Sequence, residues 1–365
     1  MTAPHLILAA GGTGGHMFPA QALAEEMLAR GWRVSLSTDK RGARYADGFP
    51  DAVTRRVVSS GTFGRSGLWA KIAAPFQIAA GVLGAVVQMR RDPPGVVVGF
   101  GGYPALPALA AAVLRRTPRM LHEQNGVLGR VNRLFARHVD RVACAVWPTD
   151  LPAGAEGVHT GNPVRAAIRE RAGAPYDPPL DEGALSVLVF GGSQGARILS
   201  ETVPPALAEI PGALRGRLRV VQQARAEEVG AVEEAYRAAD IAAEVMPFIH
   251  DMADRLAAAQ LVICRAGASS VADIAAIGRP AIFVPLAIAI RDEQTANARP
   301  LTEAGAALTV AERDLTPTAL AGQITAILTD PGRAAQMAEA ARRLGRPNAA
   351  HDLADLVETL RERGT

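Results

Sequence analysis

The 365-residue chain is predicted to be an α/β protein of two doubly wound domains, and three observations lead there. Its length exceeds the usual span of one hydrophobic core, so two cores are expected. Apolar runs of strand length alternate with helix-length stretches almost from end to end, the pattern of βα units on a mainly parallel sheet. A strand, glycine loop and helix start also occur twice, once at the head of each half.

In the first half the predicted strands are Leu6 to Ala10, Val34 to Thr38, Val96 to Phe100, Met120 to His122 and Val142 to Ala145. The second half repeats the plan with Leu185 to Phe190, Leu218 to Gln222, Ala243 to Met246, Leu261 to Cys264 and Ala281 to Val284. Between them, Arg171 to Gly183 is rich in Pro and Gly and carries no period, so it is expected to be a hinge or linker. The tail from Pro347 to Glu362 has apolar residues at helical spacing and reads as a terminal helix able to return to the first domain.

Composition narrows the class. Apolar residues make up 49% and aromatics only 4%, which suits small side chains packed between helices and a sheet and argues against disorder. The start, Met1-Thr2-Ala3-Pro4-His5, lacks the basic region and long apolar run of a signal peptide, so a cytoplasmic protein is expected. Cys144 and Cys264 follow apolar runs and have no ligand spacing; they read as buried small hydrophobes, with neither a disulfide nor zinc. A net charge of +3, with no zinc-finger or aromatic-rich RNA-binding pattern, gives no reason to expect nucleic acid. Anionic lipid or pyrophosphate fits that charge equally well.

The glycine loops carry the chemistry. Leu6-Ile7-Leu8-Ala9-Ala10 runs into Gly11-Gly12-Thr13-Gly14-Gly15-His16, and Val187-Leu188-Val189-Phe190 into Gly191-Gly192-Ser193-Gln194-Gly195-Ala196-Arg197. Glycines there let the backbone turn tightly and approach a ligand, and the free N–H groups of the first helical turn attract negative charge. Two further loops, Phe100-Gly101-Gly102-Tyr103-Pro104 and Cys264-Arg265-Ala266-Gly267-Ala268-Ser269-Ser270, follow strands as well. Four such loops exceed the needs of one dinucleotide and suit two pyrophosphate-bearing molecules, one per Rossmann-type domain, in a cleft between them. No Walker-type G-x-x-x-x-G-K-[ST] occurs, which excludes a P-loop NTPase. Asp39 after the second strand is placed like the ribose-binding acid of a dinucleotide site and keeps a nicotinamide-dependent oxidoreductase open.

The loops at 11–16 and 191–197, together with His122-Glu123-Gln124-Asn125-Gly126, Gly161-Asn162-Pro163-Val164-Arg165 and the stretch from Arg265 to Asp273, resemble in order the motif series of the MurG family. That family comprises the N-acetylglucosaminyltransferases of peptidoglycan synthesis. The resemblance implies a GT-B fold, two Rossmann-like domains with parallel sheets facing a central cleft. It implies an acceptor domain over 1–163, joined by a C-terminal helix over 346–365, and a donor domain over 164–345. It further implies inverting transfer of N-acetylglucosamine from UDP-N-acetylglucosamine to the muramyl 4-hydroxyl of lipid I, giving lipid II and UDP, at the cytoplasmic face of the inner membrane. A GT-B enzyme with a soluble acceptor, or an epimerase, is the alternative.

Carried over position by position, the resemblance has Thr13, Gly14 and Gly15 lining the cleft, with Asn125 and Arg165 near the donor sugar and diphosphate. Ser193 then lies near the diphosphate, Ile249 reads uracil through its backbone, Asp273 holds the ribose and Gln294 bonds the sugar hydroxyls. Two departures stand out: Asp273 replaces a Glu of related sequences, and Leu286-Ala287-Ile288-Ala289-Ile290-Arg291 replaces a more polar loop. Sugar-hydroxyl attack calls for a general base, and His16, closing a glycine loop, is the best-placed candidate, with Glu123 as competitor. More ordinary roles are a helix cap for His16 or Ser193, a loop-stabilising acceptor for Glu123 and a junction cap for Arg165. No Asp-x-Asp stands at a strand end, so neither catalytic metal nor cofactor is expected.

Lys71 to Arg91 is uncharged between its ends, yet it holds Pro75, Gln77 and Gln88 and lies between two strands of one sheet. It is expected to be either a core helix or a partly exposed apolar face, rimmed by Lys71, Arg90 and Arg91, that docks on anionic lipid.

Overall fold

The computed structural model describes residues 3–12, 14–58, 68–180, 182–192, 195–288 and 290–364, with the side chains at 44, 45, 68–75 and 290 also set aside. The chain divides into two compact units, Met1–Arg165 with Asn348–Thr365, and Ala166–Pro347.

In the first unit seven strands form one sheet: β1 (His5–Ala9), β2 (Arg33–Thr38), β3 (Thr54–Val57), β4 (Val96–Gly99), β5 (Arg119–Glu123), β6 (Arg141–Cys144) and β7 (Gly157–His159). Their order is β3-β2-β1-β4-β5-β6-β7, and every pairing is parallel. The second unit has β8 (Leu185–Phe190), β9 (Leu218–Gln223), β10 (Ala242–Met246), β11 (Leu261–Cys264), β12 (Ala281–Phe283) and β13 (Ala307–Thr309), ordered β10-β9-β8-β11-β12-β13 and again all parallel. Counted within each unit, the second sheet has the Rossmann order 3-2-1-4-5-6 and the first has that order with a seventh strand added at its edge. The direction of winding reverses between β1 and β4 and between β8 and β11, so the carboxyl ends of those strands open a crevice in each unit.

The ten expected strands are all present, because β1, β4, β8 and β11 are apolar runs buried on both faces, as a parallel sheet covered by helices requires. Three edge strands were not expected. Thr54–Val57 reads TRRV and is largely exposed, while Gly157–His159 and Ala307–Thr309 are three residues each, so none carries an apolar run long enough to register.

The stretch from Arg171 to Gly183 is not a free linker. Gly173 N–H donates to Ala276 O at 2.9 Å, the Tyr176 hydroxyl donates to Gln260 O at 2.9 Å, and the buried Arg279 guanidinium donates to Ala174 O at 3.1 Å and Pro175 O at 2.9 Å. A stretch without apolar periodicity is thus fastened to the second unit through its carbonyls. Burial pulls the Arg279 pKa down, and its remaining donors reach the carbonyls of Leu256, Ala257, Ile277 and Gly278.

The terminal helix Ala349–Gly364 packs on helix Gly14–Ala29 of the first unit, burying Leu353, Ala354, Val357 and Leu360 in its core. Arg30 fastens it, reaching Asp355 at 2.6 Å and Glu358 at 2.8 Å, and Arg361 lies 5.4 Å over the Trp32 ring. Both cysteines are free and buried, and burial pushes the Cys144 thiol up to about 11.

Candidate active site

In the first unit the site begins where β1 ends. Gly12 takes a left-handed turn at φ +86°, and helix Gly14–Ala29 follows. Asp39, just beyond β2, is buried, and its Oδ1 accepts the N–H of Gly12 at 3.2 Å and of Gly42 at 2.8 Å. Its carboxylate therefore braces the glycine loop from within, and the oxidoreductase reading loses the acid it needed for a ribose. Gly14 is buried and a Cβ on it would lie 2.9 Å from the Phe18 ring, Gly15 is half-buried in the same first turn, and Thr13 lies outside the described residues.

His16 stands on that turn against the loop after β4. A Cβ on Gly101 would come within 3.1 Å of His16 Nε2, so the glycine at φ +93° leaves the ring its place. Burial pushes His16 down to about 4, opposed by a hydrogen bond to the Gly11 backbone. The imidazole is thus neutral at ordinary pH and able to take a proton. His122, fully buried at the end of β5, is likewise pushed down to about 4 by burial, opposed by its bond to Gly161 O (3.3 Å) and helped by the nearby His16.

Glu123 follows, and it is saturated. Its Oε1 accepts the backbone N–H of Asn125 (3.1 Å) and the Asn125 side-chain amide (3.3 Å), and its Oε2 accepts the Gly129 N–H (2.8 Å) and Asn132 Nδ2 (2.9 Å). Burial raises its pKa while those four bonds oppose the rise. A carboxylate so engaged shapes the 124–129 loop and has little capacity left for a substrate proton. Asn125 is brought to this edge by that bond. Asn132, also bonded to His122 O at 3.2 Å, was not expected; between Val131 and Arg133 in helix Arg130–Phe135 it carries no sequence signal of its own. Arg165 is exposed at the end of the first unit's main segment.

In the second unit the loops after β8 to β12 all leave the carboxyl edge of one sheet. Gly192 and Gly195 have φ of +84° and +67°, and a Cβ on Gly191 would sit 2.3 Å from Ala196 N, so this loop folds tightly onto the start of helix Arg197–Ala208. Ser193 lies outside the described residues. Gln223, at the end of β9, was not expected as a site residue: its Oε1 accepts the Gly191 N–H at 3.1 Å and its Nε2 donates to Pro247 O at 3.3 Å. Ile249, in the turn after β10, is buried beside the half-exposed Phe248.

After β11, Arg265 is mostly buried and held by Val284 O (3.1 Å), Pro285 O (3.2 Å) and Glu312 (2.5 Å), which makes it an anchor of its loop. Asp273 is buried in the following helix, Ala268–Ile277. Gln294 begins helix Glu293–Glu303, where its Oε1 accepts Leu286 N–H at 3.0 Å and so holds the divergent apolar loop. Arg291 and Asp292 just before it both adopt left-handed backbone, φ +62° and +54°, a strained pair of the kind found at ligand sites. Among the described residues no group of three or more His, Cys, Asp or Glu gathers as a metal site.

Two Rossmann-order sheets, each with a glycine loop at its switch point, define the class as GT-B. Residues 6–144 match the glycosyltransferase family 28 N-terminal domain and 186–357 its C-terminal domain. The chain is 51% identical over 355 residues to the UDP-N-acetylglucosamine--N-acetylmuramyl-(pentapeptide) pyrophosphoryl-undecaprenol N-acetylglucosamine transferase of Caulobacter vibrioides, covering 96% of this chain and 98% of that one. It is 47% identical to the protein of the same name from Rhodopseudomonas palustris, over 97% of this chain and 98% of that one. The crystal structure of Acinetobacter baumannii MurG superposes with a TM-score of 0.82 at 34% identity, covering 98% and 99% of the two chains. The chain belongs to the MurG family of UDP-N-acetylglucosamine-dependent glycosyltransferases within glycosyltransferase family 28.

Proposed function

We propose that the protein transfers N-acetylglucosamine from UDP-N-acetylglucosamine to the muramyl 4-hydroxyl of lipid I, with inversion, releasing lipid II and UDP. The observation that carries this reading is 51% identity over 96% of the chain to a protein named for that transfer. The first unit takes the acceptor and the second the donor. The acceptor oxygen attacks the anomeric carbon as the bond to the β-phosphate breaks, its proton passes to the His16 imidazole, and the electron pair leaves on UDP. The helix that starts at Arg197, Ser193 and Arg165 stabilise the diphosphate charge. Thr13, Gly14, Gly15 and Asn125 line the reacting centre, while Ile249, Asp273 and Gln294 read uracil, ribose and sugar.

Lipid I remains in the bilayer, so the first unit works at the cytoplasmic face of the inner membrane, in the synthesis of the wall that sets cell shape and permits division. No helix among the described residues is long and apolar enough to cross a membrane. Helix Leu68–Arg91 buries Ala85 and Met89 but exposes Phe76, Leu83 and Val87, at spacings that share a helix face, with Arg90 and Arg91 at its end. That face is the docking surface for anionic lipid; the Lys71 side chain lies outside the described residues.

The test is the purified protein with radiolabelled UDP-N-acetylglucosamine and lipid I in detergent. Lipid II with one UDP per transfer is expected. Epimerised or hydrolysed donor, with no labelled lipid, would overturn the reading.

A further inference from the structure

We infer that Gln223 is a positioning residue that makes the diphosphate loop and the base-reading loop of the second unit one mechanical element. The inference rests on the donor reading proposed above. Strand β9 lies between β8 and β10, so the residue at its carboxyl end can touch the loops that leave both neighbours. Gln223 holds that place, buried, with its acceptor on Gly191 N–H (3.1 Å) and its donor on Pro247 O (3.3 Å). Met246 pairs with Gln223, and Ala224 N–H donates to Met246 O at 3.1 Å, so the two chains run together up to that point.

A primary amide suits this place because it is planar and presents an acceptor and a donor in fixed relation. Asp39 follows β2 in the first unit as Gln223 ends β9 in the second, and it too turns inward onto a glycine loop, but a carboxylate only accepts and so gathers two N–H groups. In dinucleotide-binding domains the acid in this region faces a ribose. Here the residue at this place holds the phosphate-type loop in both units, as the acid Asp39 in the first and the amide Gln223 in the second. In the second unit the Gly191 end leads directly into the tight turn at Ala196, and the Pro247 end lies two residues before Ile249. Displacing either loop strains the amide against the other, so uracil and diphosphate are recognised jointly.

Gln223→Met keeps the volume and removes both bonds, whereas Gln223→Glu keeps the acceptor for Gly191 and loses the donor to Pro247. Both variants are expected to raise the KM for UDP-N-acetylglucosamine and the calorimetric Kd for UDP about tenfold, with uridine affinity and kcat at saturating donor changed by less than about threefold. In hydrogen exchange, uridine should protect the backbone around 191–198 as well as 246–250 in the native protein, and only the latter in either variant. A purely structural residue would instead lower the folded fraction, and hence kcat, with KM unmoved. Equal losses for uridine and UDP, or uridine protection of both loops in a folded variant, overturn the inference. Failure of the native protein to bind UDP overturns the donor reading itself, a result separate from any difference between variants.

Discussion

Glu123 and Asn132, nine positions apart, meet at 2.9 Å between Oε2 and Nδ2, and that contact closes a set of four hydrogen bonds on one buried carboxylate. Glu123→Gln puts an NH2 group against N–H donors on one side of the set, leaving buried donors unpaired. The expected loss is about 2 kcal/mol of stability, measured by urea unfolding, with turnover falling only as far as the loop loosens. A variant of native stability that had lost activity by orders of magnitude would restore Glu123 as the base.

His16→Ala should lower kcat by about two orders of magnitude and leave the Kd for UDP-N-acetylglucosamine within a few-fold. Because His16 is held at about 4 in the free protein, its acid limb in kcat/KM should fall well below pH 6. Near-normal turnover in the folded variant would end its role as base.

Stability should fall as pH drops from about 6.5 toward 4. His122 is held at about 4 in the folded protein against the usual 6.5, so in that window the unfolded chain binds a proton that the native one does not. The penalty is on the order of a few kcal/mol and levels off below about pH 4, where both states are protonated. Urea midpoints measured from pH 7 to 4 should slope less in a folded His122→Gln variant; an unchanged slope would assign the effect to other groups.

Gln294→Ala should weaken UDP-N-acetylglucosamine by about 1–3 kcal/mol while UDP itself changes little, because the sugar hydroxyls lose their partner. Gln294→Glu preserves an acceptor for Leu286 N–H, so it separates loop support from sugar recognition. Equal losses for UDP and UDP-N-acetylglucosamine in both variants would remove Gln294 from the sugar.

Replacing Phe76 and Leu83 with Ser, or Arg90 and Arg91 with Glu, should reduce binding to anionic vesicles and activity on long-chain lipid I, yet spare a short-chain soluble acceptor. Phe76 is 74% exposed and Leu83 65%, so neither change opens a core cavity. Equal loss on both acceptors would place the docking surface elsewhere.

What the chain determined by itself was local: apolar runs such as Leu6 to Ala10 and Leu185 to Phe190 set the strands, and glycines after them set the turns, because burial on both faces and left-handed backbone leave a mark in residue type. The edge strand Thr54–Val57 left none, being polar and exposed. Tertiary structure alone decided which way polar side chains turn. Asp39 looks the same in sequence whether it faces a ribose or the amides of Gly12 and Gly42, and Glu123 whether it takes a substrate proton or four N–H groups. The ionisation of His16 and His122, the fastening of residues 171–183 by Arg279, and the bridge made by Gln223 likewise depend on partners and desolvation supplied by segments distant along the chain, which no local pattern records.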